Sequence, residues 1–279
     1  MKDTVVLLGA ARSGTKVLRD VLGGAKDLSV VPFDINYVWR AGNESLPHDE
    51  LPEDSADQAA PFIRSQIQRM ADGDARVVEK TVSNPLRIPF VRRVLPNAQY
   101  IWLFRDGRDV TESAMRSWTT PSAARDLWPK LVGFPVRENP QYLGKYLSRI
   151  VRQRLSRTHT SSWGPAYRGM AQDVASLPLA HVCAQQWART VQAYLDHRHL
   201  LPPNTVEVRY EDLVENPAAR LTELAEQLEV RDVDGVVTAA SRITTANVGK
   251  HQGSGLGEQK EVMAILRPQL QALGYLADS

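Results

Sequence analysis

Short apolar runs rich in β-branched residues alternate along this chain with stretches whose apolar positions recur at helical spacing. "TVVLLGA" from Thr4 is the first such run, and "TKVLRDVLGG" after it reads as a helix stopped at Gly23 and Gly24. "LSVVPF" at 28–33 predicts a second strand, 57–71 a helix, and "ARVVEKT" a third strand. "LRIPFVRRVL" then predicts a helix, "AQYIWLF" a buried strand, and "RDVTESAMRSW" the start of another helix. From 119 to 180 the pattern loosens, with "ENPQYLGKYLSRIVRQRL" helical and "THTSSWGPAYRGM" a loop. A long helix at 181–199 precedes the alternating "TVEVRYEDL", and Asn216 with Pro217 opens an amphipathic helix. This order predicts an α/β fold in which a mostly parallel sheet is covered by helices. Ligands should gather at the carboxyl ends of its strands.

A chain of 279 residues can bury a full core, and we expect one domain over 1–279 with irregular segments at about 34–60 and 119–170. "RAGNESLPHDELPEDSADQAAP" at 40–61 reads as an exposed excursion, a lid or a plain loop. Lys and Arg number 34 against 32 Asp and Glu, which argues against a nucleic-acid binder but leaves room for a local basic cluster. The single cysteine, Cys183, excludes an intrachain disulfide and an all-cysteine metal site, and its surroundings read as a buried helix face. The first strand leaves no room for a signal segment and no apolar run reaches membrane-spanning length, so a cytoplasmic location without membrane insertion is expected.

The chemistry begins at "GAARSGTKV". An ATPase phosphate loop requires Gly, four residues, Gly, Lys and Ser or Thr; here Gly14 is followed by Thr15 and then Lys16. The order fails, yet a glycine turn between strand and helix still aims backbone N–H groups and the helix's positive end at an anion. Arg12 can add a charged fork, and Ser13 and Thr15 hydroxyl donors; Lys16 either meets the ligand or faces water. In "LFRDGRDVTESAMRSW", Arg105 ends a strand and Ser113 follows eight residues later, a pair suited to a second anion. Arg108 and Asp109 are expected to form a local salt bridge.

With "EKT" at 79–81 and "VEVRYEDLVENPAARLTELAEQLEV" at 206–230, these blocks resemble the sulfotransferases that use 3'-phosphoadenosine 5'-phosphosulfate, in their bacterial and Golgi-type branch. The resemblance implies a three-layer, P-loop-like fold. It also implies that Arg12, Ser13, Gly14 and Thr15, joined by Lys16, hold the 5'-phosphosulfate, that Arg105 and Ser113 hold the 3'-phosphate, and that Tyr210 borders the nucleotide. Lys250 and His251 stand where a basic segment covers the nucleotide in that family, although the arginine-rich version is absent here.

Sulfuryl transfer needs an aligned acceptor, a base for its proton and positive charge at the leaving oxygen. Lys80 meets the last need if "EKT" ends a strand beside the first loop. The cytosolic branch places a histidine two positions after this lysine, whereas this chain has Val82. Resemblance to the protein-tyrosine branch points instead to Asp34, twenty-two residues after Arg12, with Arg12 completing the catalytic set. An aspartate at its ordinary pKa of about 3.9 is ionised near neutrality, so it needs a raised pKa or close alignment to work as a base. The alternative is that Asp34 merely caps a helix starting at Ile35. His159 competes for the role, more so than His181, His197 and His199. No pattern for a metal site occurs, and none is expected.

Aromatics such as Trp39, Trp118, Trp128, Trp163 and Tyr167, with Arg137, Arg149, Arg152, Arg154 and Arg157, suit a small-molecule, carbohydrate or lipid acceptor, or a carrier-protein or homodimer surface. A nucleotide-dependent kinase is the enzyme alternative, but this chain has neither a correctly ordered Walker lysine nor a convincing magnesium-binding acidic strand end. A non-catalytic protein that binds the nucleotide would keep the same phosphate residues, and turnover separates it from an enzyme.

Overall fold

The computed structural model describes residues 4–71, 73, 75–119, 163–245, 248–253 and 255–277. Five strands form one sheet in the order β2-β3-β1-β4-β5, every pair parallel. They are β1 (Thr4–Leu8), β2 (Leu28–Val30), β3 (Arg76–Glu79), β4 (Gln99–Phe104) and β5 (Val206–Arg209). β1 is central, with β3 and β2 on one side and β4 and β5 on the other. Its carboxyl end therefore sits where an open parallel sheet leaves a crevice.

The two-residue period of the strands divides the core. Val6, Leu8, Tyr100 and Trp102 face one apolar layer, and Val5, Leu7, Ile101 and Leu103 the other. On the first face lie α2 (Asn36–Trp39), α3 (Ala56–Arg69), α4 (Ile88–Val94), α5 (Gly107–Thr119) and the long helix Leu179–His197, here α7 after α6 (Met170–Ser176). Trp102 stacks on Tyr194 of α7 with ring centres 4.0 Å apart. On the second face lie α1 (Thr15–Leu22), α8 (Tyr210–Glu215), α9 (Pro217–Gln227) and α10 (Val233–Thr238). α11 (Lys260–Ala272) closes the chain against α7 and the first layer. No helix of the described residues is long and apolar enough to cross a membrane.

Two expectations need correction. Segment 40–61 is not a free excursion: Arg40, Asn43, Asp49 and Leu51 are buried, because Asp49 gathers donors from three separate segments. Arg108 pairs with Asp106 at 2.6 Å, not with Asp109, which turns inward to Arg105. Cys183 is buried in α7 as expected, and burial pushes its thiol up to about 12.

Candidate functional site

A cavity of about 580 Å³ opens at the carboxyl end of β1, within the roughly 300–1,000 Å³ span of small-molecule sites. It draws on all five strand ends of the sheet. Among its lining residues are Arg12, Gly14, Thr15 and Lys16 from the β1–α1 turn, Asp34 and Asn36 after β2, Lys80, Val82 and Ser83 after β3, Arg105 and Ser113 beyond β4, and Tyr210 after β5. Trp163 and Gly164 also reach it. Ser13 is wholly buried outside the lining, its backbone N–H given to the Ala10 carbonyl, and its hydroxyl has no partner among the described residues. Lys250 and His251 do not line the cavity; the His251 ring instead meets Asp109 at 2.8 Å. His181, His197 and His199 stay outside it, and His159 lies outside the described residues along with Trp128 and the five arginines from Arg137 to Arg157.

The β1–α1 turn is held open by backbone requirements. Gly14 has φ +95°, and a Cβ there would come within 2.5 Å of the Tyr210 ring. A Cβ on Gly9 would meet the Leu103 carbonyl at 2.6 Å. Arg12 is the surprise, a non-glycine residue at φ +74°, a conformation that costs about 1–3 kcal/mol. Its neighbours hold it there: Arg105 Nη1 donates to the Arg12 carbonyl at 3.1 Å, and Arg12 Nε donates to Ser113 Oγ at 2.9 Å. The first intrahelical bond of α1 runs from Leu18 N–H to the Gly14 carbonyl, leaving the N–H groups of Thr15, Lys16 and Val17 without helical acceptors.

The charges arrange themselves at two ends. Arg105, 4 % exposed, lies over the Tyr210 ring at 4.7 Å and donates from Nη2 to Asp109. Arg12 forms no ion pair among the described residues, and crowding by protein, then the charges of Arg105 and Arg116, lower its pKa. Such unrelieved repulsion is relieved by an anion. Across β1, Lys80 Nζ lies 3.5 Å from Asp34 Oδ2. The Asp34 carboxylate is fixed at both oxygens, Oδ1 accepting from Asn36 N–H at 3.1 Å and Oδ2 from Val82 N–H at 2.9 Å. It thus serves the entry of α2 and faces Lys80 at once, one oxygen for each task. β3 and β4 are two strand spacings apart, so the strands carrying the two ends lie about 10 Å apart.

Behind Lys80 and Asp34 is a buried polar network that the sequence does not announce. Glu79, fully buried at the end of β3, accepts from Trp39 Nε1 at 3.0 Å, Thr81 Oγ1 at 2.6 Å and Asn84 Nδ2 at 2.9 Å. Arg87 bonds Asn36 and Asn84, and burial lowers it to about 10 against the pull of Asp49, Asp34 and Glu79. Asp49 binds Arg40, Asn36, Ser83 and the Ala166 N–H. Burial opposes its ionisation, but Arg87 and these donors hold its carboxyl below the ordinary value. A short strand run closing on a glutamate, "RVVE", was the available signal for Glu79. Among the described residues no cluster of His, Cys, Asp or Glu could hold a metal.

Glu79 gives a pH prediction. Burial pushes its carboxyl from an ordinary 4.5 up to about 7, against the hydrogen bonds it accepts. Its folded-state pKa is raised, so the unfolded chain ionises first and stability is lost as pH rises from about 4.5 to about 7. Urea unfolding is expected to show a fall on the order of 3 kcal/mol from this group over that window. Glu79→Gln should flatten that part of the slope; an unchanged slope would place the ionisation elsewhere.

None of the curated proteins matches the chain in sequence. The sulfotransferase domain from the curacin biosynthetic pathway superposes with a TM-score of 0.53 at 17 % identity, covering 100 % of this chain and 99 % of its own. A sulfotransferase from Alicyclobacillus acidocaldarius gives 0.53 at 16 %, covering 99 % and 96 %. The sulfotransferase domain of the Synechococcus PCC 7002 olefin synthase gives 0.51 at 16 %, covering 96 % and 95 %. These likenesses support the three-layer, P-loop-like arrangement of the sheet. The sulfotransferase family model itself matches residues 4–131 and 146–234, most of the sequence, and the chain belongs to the sulfotransferase family.

Proposed function

We propose that this sulfotransferase takes its sulfuryl group from 3'-phosphoadenosine 5'-phosphosulfate and delivers it to a hydroxyl of a small-molecule, carbohydrate or lipid acceptor. The observation that carries the reading is one cavity with two cationic ends on opposite sides of β1, Lys80 at one and Arg105 with Ser113 at the other, with Arg12 in the turn between. A ligand with two separated phosphate groups fits that donor set. When bound, the donor supplies a sulfuryl group already joined to a phosphate leaving group.

The chain's residues then divide the work. Arg12, the Thr15 hydroxyl and the free N–H groups opening α1 hold the 5' end, with Lys16 at the cavity wall. Arg105 and Ser113 hold the 3'-phosphate, and Tyr210 keeps the Arg105 guanidinium in place. Lys80 stabilises the negative charge that grows on the leaving oxygen. Asp34 takes the acceptor's hydroxyl proton, relying on alignment by its two backbone donors. The same reading treats 1–279 as one cytoplasmic catalytic domain.

Calorimetric titration tests the donor. Adenosine 3',5'-bisphosphate is expected to bind at least about tenfold more tightly than adenosine 5'-phosphate, equivalent to about 1.4 kcal/mol for the second phosphate. Arg105→Ala should erase that preference. Equal affinities in the unaltered protein would remove the 3'-phosphate site from the account.

A further inference from the structure

α5 begins at Gly107, which places Asp109 in its first turn and Ser113 one turn later on the same face. Asp109 is 1 % exposed, yet it belongs to neither cationic end as a ligand. Its carboxylate collects four donors from two places. Oδ1 accepts the His251 N–H at 3.0 Å and meets the ring Nδ1 at 2.8 Å; Oδ2 accepts the Gly249 N–H at 2.8 Å and Arg105 Nη2 at 3.2 Å. Burial would push this carboxyl up, but the His251 and Gly249 donors and the Arg105 charge hold it below its ordinary value.

One buried carboxylate therefore joins the arginine of one cationic end to the turn Lys250–Gly253 near the carboxyl terminus. The chemistry makes this a competition. With the turn docked, three donors share the Asp109 charge and Arg105 keeps more of its own for a ligand. With the turn away, both oxygens are left to Arg105, and an incoming phosphate must displace them.

We propose that Asp109 is a positioning residue that couples docking of the 249–251 turn to capture of the 3'-phosphate by Arg105. The coupling rests on the donor reading above. His251 acts through Asp109 in this scheme, as a latch, and its contribution to affinity depends on the Asp109 charge.

Hydrogen exchange and calorimetry with adenosine 3',5'-bisphosphate test the coupling. In the unaltered protein the nucleotide should slow exchange of the Gly249 and His251 amides. His251→Ala should speed that exchange and weaken binding about tenfold, a size usual for coupled sites. In an Asp109→Asn background the same His251→Ala change should cost less than about twofold, because the coupled partner is already gone. If Asp109→Asn does not fold, exchange in the unaltered protein and His251→Ala decides alone. Nucleotide binding that leaves the two amides unaffected, or losses that multiply in the double variant, would overturn the coupling while leaving the donor reading intact. Failure of the nucleotide to bind the unaltered protein would overturn both.

Discussion

Lys80→Ala is expected to lower kcat by a factor on the order of 10²–10³ while leaving the KM for the donor within a few-fold, the signature of an interaction made mainly in the transition state. The lysine follows β3 directly, is 7 % exposed, and its ammonium stands 3.5 Å from Asp34 at the cavity wall. In the resting protein that carboxylate already balances it, so ground-state binding gains little from its charge. When charge develops on a leaving oxygen, a nearly buried ammonium is worth far more than in water. The fold should survive, because Asp34 retains both backbone donors. Lys80→Arg should not restore the rate, since a planar fork does not replace a compact ammonium in a packed site. An unchanged kcat with a raised KM would make Lys80 a binding residue only.

Asp34→Asn should lower kcat by a factor on the order of 10²–10⁴, the usual contribution of a general base. Asp34 also supports the entry of α2, so the variant must be read on two scales. An amide can still accept from the Asn36 N–H through its oxygen, but its NH₂ then faces the Val82 N–H. That mismatch costs about 1–3 kcal/mol of stability. The rate loss corresponds to about 3–5 kcal/mol of activation free energy in a protein that remains folded. Chemical denaturation and steady-state kinetics on one preparation separate the two. Loss of stability with an intact kcat would reduce Asp34 to a structural residue.

Two of the strands were legible because a parallel sheet covered on both faces demands short continuous apolar runs, and β1 and β4 are such runs. The β1–α1 turn was legible for a similar reason: its glycines meet a backbone requirement that few residues satisfy. Partners far apart in sequence were not. Asp109 next to Arg108 invites a local pair, yet the helical turn of α5 directs it to Arg105 and His251, the latter 142 residues away. Asp49 sits among Pro, Gly and acidic residues that look solvated, and its burial depends on Ser83 and Ala166 arriving from elsewhere. Ser113, eight residues after Arg105, lies in the second turn of α5, because the helix starts at Gly107. The short helix α10 carries too few apolar positions to show a period.

The most direct measurement follows 35S from labelled 3'-phosphoadenosine 5'-phosphosulfate in the unaltered protein, Lys80→Ala and Asp34→Asn, across sugars, phenols, lipids and other hydroxyl compounds, with products resolved by mass. The account predicts a labelled sulfate ester, formed one for one with adenosine 3',5'-bisphosphate, and its near-disappearance in both variants. It is contradicted if the unaltered protein releases label, to acceptor or to water, no faster than Lys80→Ala does.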